Sequence, residues 1–199
     1  MVSLPSRRVC WYGKLPARGD FVGRGLPPRW RSDWDAWLQE GLALAATRLD
    51  GAALRERLGA FAPWRYLALP ASGEIWCGIM VASHDRVGRA FPLTLAERFA
   101  GPASPVESAA RLASLLGAAA EGPEALEAAI AALPPRSGDE HQSTEAWPPK
   151  PASLWWPLTA AQEVAPQIAC WPPEPALLLE LLDGSPRSTG TSCWSRRRS

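Results

Sequence analysis

The sequence predicts an α/β or α+β fold in which one sheet is covered by helices, and three observations lead there. Stretches with apolar residues at helical spacing alternate along the chain with short apolar runs rich in strand-forming residues. Two of those runs, "WRYLALP" and "EIWCGIMVAS", are separated only by "ASG", which suits an antiparallel hairpin with a compact turn. The 199 residues are 47% hydrophobic and 21% charged, enough for one domain with a well-buried core.

Taken in order, Val9 to Tyr12 reads as a short strand that breaks at Gly13 into a loop running to about Pro28. From Arg29, the residues Trp30, Trp34, Trp37, Leu38, Leu42 and Ala45 recur on one face of a helix of about four turns. Asp50 and Gly51 punctuate the chain before "AALRERLGAF", a short second helix or a continuation of the first. The two strands of the hairpin follow and should be central. "FPLTLAERF" is a further strand, with Pro92 confined to its start or to an edge. Ser104, Pro105 and Glu107 supply a helix cap, a first-turn proline and a capping-box glutamate for "VESAARLASLLGAAA". Pro123 opens another helix that the Pro134-Pro135 pair stops. Residues 134–152 have the composition of a flexible insert, with little to bury. "SLWWPL" returns as a buried strand, "PEPALLLELLDG" is a closing helix ended by Gly184, and residues 185–199 are expected to be a disordered tail.

Composition excludes several function classes. The longest uncharged run, Pro151 to Gln162, falls short of the roughly 20 apolar residues that cross a bilayer. No secretory signal pattern opens the chain, so we expect a cytoplasmic protein. Its four cysteines form no C-x-x-C pair, and His84 and His141 are the only histidines, so no metal is expected and the thiols should be reduced and mostly buried. Net charge is +1, but residues 1–100 carry 14 basic and 9 acidic side chains, against 3 and 11 in residues 104–183. The cations are dispersed arginines without an aromatic stripe, which argues against nucleic acid. Eleven tryptophans suit a core and, for some of them, a partner surface.

Two stretches of mixed chemistry stand apart: "KLPARGDFV" from Lys14 and "SHDRVGRAFPL" from Ser83. Catalysis finds little support in them. His84 and Asp85 are adjacent, and on a strand their side chains point to opposite faces, so one cannot easily orient the other as a base. Phosphate-cradling and nucleophile-elbow motifs are missing. We therefore expect no cofactor and no catalytic residue. Lys14, Arg18, Asp20, Asp85, Arg86 and Arg89 are candidates for an ion-pair set tying the two loops together, for a partner-binding surface, or for both. A small-ligand or nucleotide sensor, with a pocket near Asp20 and Asp85, is the alternative.

In this order, "WYGKLPARGDFV", "WRSDWDAWLQ", "PWRYLALP", "HDRVGRAFPLTL" and "SLWW" resemble the TagF (ImpM) family of type VI secretion accessory proteins, over about residues 10 to 183. The resemblance implies an α/β fold, a single-domain three-layer α/β/α sandwich; we expect its sheet to be mixed and to contain the antiparallel hairpin. It also implies a cytoplasmic, non-enzymatic regulator that represses the secretion machine after translation. The implied partner is the forkhead-associated scaffold protein of that system. The family lends no catalytic residues, so the six charged positions are carried over as partner-binding or structural ones.

Overall fold

The structure, a computed structural model, describes residues 9–99, 104–134, 148–161 and 164–184. Most of the expected flexible insert, and all of the expected tail, lie outside these residues. The chain runs β1 (Cys10–Gly13), β2 (Val22–Arg24), α1 (Pro28–Ala46), α2 (Gly51–Ala60), β3 (Trp64–Leu69), β4 (Trp76–Val81) and β5 (Leu93–Arg98). It continues as α3 (Pro105–Ala113), α4 (Leu116–Glu121), α5 (Pro123–Ala132), β6 (Ala152–Pro157), β7 (Gln167–Cys170) and α6 (Pro175–Leu182).

All seven strands join one sheet in the order β2-β1-β5-β4-β3-β6-β7, and β4 lies at its centre. Every pairing is antiparallel, so the expected mixed sheet is corrected. The reason is topological. A parallel ladder arises where a helix joins two neighbouring strands, but here the helical connections link β2 to β3 and β5 to β6, which are never hydrogen-bonded neighbours. The hairpin is present, with Trp64 opposite Met80 and Ala68 opposite Trp76.

Alternation along the strands sends side chains into helices on both faces. Trp64, Tyr66 and Ala68 of β3, Trp76 and Met80 of β4 and Trp155 of β6 face α1 and α6. Trp11, Ile79, Leu93 and Leu95 face Ala109 and Leu112 of α3, Ala119 of α4 and Leu126 of α5. α1 presents Trp30, Trp34 and Trp37 at helical spacing, all buried as the sequence predicts. The Trp34 ring lies 4.9 Å from those of Trp30, Trp37 and Tyr66, contacts worth about 0.5–1.5 kcal/mol each beyond simple burial. α6 closes over this face: Trp37 Nε1 donates to Glu174 O at 3.1 Å and Trp64 Nε1 to Leu181 O at 3.2 Å. Gly41 lets α6 approach, since a Cβ there would sit 2.8 Å from Leu178 Cβ. All nine tryptophans among the described residues are buried, so none of these lines a free surface.

The capping box at Ser104 forms as expected, Glu107 N donating to Ser104 Oγ at 3.1 Å and Ser104 N to Glu107 Oε2 at 3.1 Å. The helix it starts is shorter than its apolar pattern suggests and breaks near Ser114, where the hydroxyl bonds Arg111 O at 2.7 Å. Cys10 and Cys77 are buried as expected, whereas Cys170 is disulfide-bonded rather than reduced.

Candidate functional site: two interlocked loops

β1 ends at Gly13, whose φ of +145° suits only glycine, and whose missing side chain lets the backbone lie against Pro92 and Leu93; a Cβ there would be 2.8 Å from Leu93 Cα. The loop that follows thus starts in contact with the residues that lead into β5. A turn closed by Arg18 N donating to Leu15 O at 2.9 Å then brings Arg18 O to the Arg86 N–H, which donates to it at 2.8 Å. Ser83 Oγ donates to Lys14 O at 2.7 Å, and the Arg89 guanidinium to Gly19 O at 2.7 Å. The two charged stretches therefore meet, through backbone as much as through charge.

Asp85 is the hub. Its side chain is fully buried, and the lone bridge between His84 and Ala90 closes a small loop around it. Oδ1 accepts from the N–H groups of Arg89 at 2.9 Å and Val87 at 3.1 Å. Oδ2 takes Lys14 Nζ at 3.0 Å and Arg89 Nε at 2.7 Å. Gly88, at φ +83°, supplies the left-handed residue that lets the chain turn back to Arg89. A buried carboxylate persists only when paired and hydrogen-bonded. Burial alone would push the Asp85 carboxyl up, but the Arg89 N–H, the Lys14 ammonium, the Arg89 guanidinium and the Val87 N–H together hold it well below the usual carboxylate range.

The candidate residues divide accordingly. Lys14 and Asp85 are buried and structural, and Arg89 joins them while keeping its side chain 63% exposed. Arg18 pairs outward with Glu124 of α5 instead of with either aspartate. Asp20 stays at the surface, its Oδ1 accepting from the Phe21 N–H at 2.8 Å. Arg86 is exposed, and among the described residues its guanidinium makes no hydrogen bond or ion pair. His84 Nδ1 lies 2.9 Å from the Asp85 carbonyl, not from its carboxylate.

Sequence reasoning missed two supports of this site. α5 holds β1 and β2 through Glu127, which accepts from Trp11 Nε1 at 2.7 Å and pairs with Arg24 at 3.2 Å, one helical turn from the Glu124 that holds Arg18. Two glutamates spaced i, i+3 on a helix share one face, the signal that could have marked it as a docking face. The second support is aromatic: Phe21 packs edge-on to Phe91 at 4.6 Å and under Lys14 Nζ at 5.2 Å, joining the loops on their apolar side. The Tyr12 ring stacks with that of Phe21 at 6.0 Å, and its hydroxyl donates to Asp35 of α1 at 2.6 Å.

A helix-covered antiparallel sheet carrying this loop pair defines a type VI secretion-associated protein: the sequence pattern of the TagF N-terminal domain, described as type VI secretion system-associated, matches residues 10–137, which include both loops. The chain belongs to the TagF family. It is also similar to PA0076 from Pseudomonas aeruginosa PAO1, known from a crystal structure, at 33% identity and a TM-score of 0.66. That likeness covers 92% of this chain and 97% of the other, so it extends past the matched domain into the closing strands and helix. No curated protein matches the chain.

Proposed function

We propose that this chain is a cytoplasmic, non-enzymatic regulator that represses type VI secretion after translation by binding a forkhead-associated scaffold protein. The observation that carries this reading is the Asp85 hub. Four donors occupy the Asp85 carboxylate, the side chain next to His84 in the sequence, and those bonds serve to fix two loops into a single presented surface. A surface made rigid in this way favours recognition, because less order has to be imposed when a partner docks.

The test is secretion by the bacterium that carries the chain. Deleting the gene raises export through the type VI machine, and the wild-type chain restores repression. Asp85→Ala, which releases both loops, fails to restore it, whereas His84→Ala restores it fully. Export unchanged by the deletion would overturn the repressor reading. Loss of repression in His84→Ala, with fold and scaffold binding intact, would overturn a mechanism based on binding alone.

A further inference from the structure

We propose that Arg86 and Val87 are the contact point of the loop surface, and that they engage a segment of a partner protein in which an acidic side chain stands beside an apolar one; the inference rests on the reading that the chain works by binding a protein. The turn from Asp85 to Arg89 has every one of its backbone N–H groups tied. The Val87 and Arg89 N–H groups go to the Asp85 carboxylate, Gly88 N donates to Asp85 O at 2.9 Å, Asp85 N to Arg89 O at 3.1 Å, and the Arg86 N–H crosses to Arg18 O. Of the turn's side chains, the Arg86 guanidinium and the Val87 isopropyl group take no part in these bonds.

Val87 is 67% exposed, the most exposed large hydrophobic residue among those described, and Phe21, at 39%, is the next such residue on the loop pair. A valine in a mobile loop can fold back onto the protein. This one cannot, because its own N–H and those of Arg86, Gly88 and Arg89 are all tied. The guanidinium lies beside the first loop, its Nη2 3.9 Å from where a Cβ on Gly19 would stand, an ordinary contact distance. Arginine is among the residues enriched in interface hot spots, and a valine held beside it on a fixed backbone adds apolar contact area. Its complement in charge is acidic: Lys14 and Arg89 already face Asp85, Arg18 already faces Glu124, and Arg86 is the cation of the loop pair left without a carboxylate among the described residues.

The experiment replaces Val87 with the photo-crosslinking residue p-benzoylphenylalanine in the native bacterium, with Arg55 on exposed α2 as the control position. Illumination is expected to give an adduct at position 87 and none at position 55. Its cross-linked peptide should carry Asp or Glu next to an apolar residue, and Arg86→Glu should abolish the adduct while leaving the melting temperature of the purified chain unchanged. With purified scaffold protein, Arg86→Ala should weaken binding about tenfold or more, and Val87→Ala should weaken it by less. No adduct at position 87, an equal adduct at position 55, or an adduct that survives Arg86→Glu would overturn the proposal. An adduct of the expected composition on a protein other than the forkhead-associated scaffold would uphold the contact and refute the scaffold assignment.

Discussion

Gly78→Ala is expected to be among the most destabilising single-methyl additions in this chain. Gly78 lies in the central strand β4 opposite Tyr66 of β3. A Cβ on it would overlap the Tyr66 Cζ and hydroxyl and stand 2.7 Å from Cε1. The ring has nowhere to go: it is fully buried, its centroid is 4.9 Å from those of Trp34 and Trp155, and its hydroxyl is 2.7 Å from Thr94 Oγ1. Overpacking a tight core costs about 1–3 kcal/mol. Breaking the Tyr66–Thr94 bond leaves a buried polar group unsatisfied, for about 1–3 kcal/mol more. The reduced backbone freedom of alanine returns about 0.5–1 kcal/mol. The net is about 3 kcal/mol, a fall in melting temperature of about 6–12 °C for a domain of this size. Urea unfolding followed by tryptophan fluorescence measures it. In a Tyr66→Leu background, which removes the overlapped atoms, the same substitution should cost under about 1 kcal/mol, because residues in contact couple by about 0.5–3 kcal/mol. An equal cost in both backgrounds, or none in the wild type, would refute the reasoning.

Three further outcomes are expected. Because the folded protein holds the Asp85 carboxyl below its ordinary value of 3.8, its contribution to stability is present above that pH and is lost as pH falls below it. The difference in melting temperature between wild type and Asp85→Asn should therefore be constant from neutral pH down to about 5 and shrink below about 4; a gap that widened in acid would contradict the hub. Tyr12 and Tyr66 are the only tyrosines. Burial, followed by the hydrogen bond to Asp35, pushes Tyr12 up to about 12, and burial pushes Tyr66 up as well. Absorbance at 295 nm should show no phenolate step near pH 10 while the protein is folded, and Tyr12 stabilises the fold below pH 10 and ceases to do so towards 12. Arg18→Ala should cost under about 1 kcal/mol of stability by urea unfolding, since its pair with Glu124 is exposed.

The elements legible in the sequence were those whose signal is local. The tryptophan face of α1, the Ser104 capping box and the β3–β4 hairpin each follow from spacing within a few residues. The short strands β2 and β7, with three and four residues, were not foreseen, because edge strands this short carry no alternation to read. Strand direction was not legible either, as it depends on which strand each helix passes over. The meeting of the two charged loops could be expected from their shared composition, but the counter-ions could not be assigned. Arg18 turned to a glutamate more than a hundred positions away, and one of the chain's two lysines became the buried partner of Asp85. Gly78 did leave a trace: a glycine inside a strand-forming run often marks a place where a neighbour presses close.

The placement of α6, β6 and β7 after the segment that carries the family pattern bears on where this protein can be cut. A fragment ending at residue 137 would retain both charged loops and all of the matched pattern. It would also strip β3 of β6 along one entire side, turning an interior strand into an open edge, and would uncover the Trp34, Trp37 and Trp64 rings that Trp155 and α6 now shield. An open edge beside bare indoles invites pairing with another chain. Minimal fragments and reporter fusions should for that reason keep β6, β7 and α6, because the boundary of the recognisable pattern divides a sheet that must be kept whole.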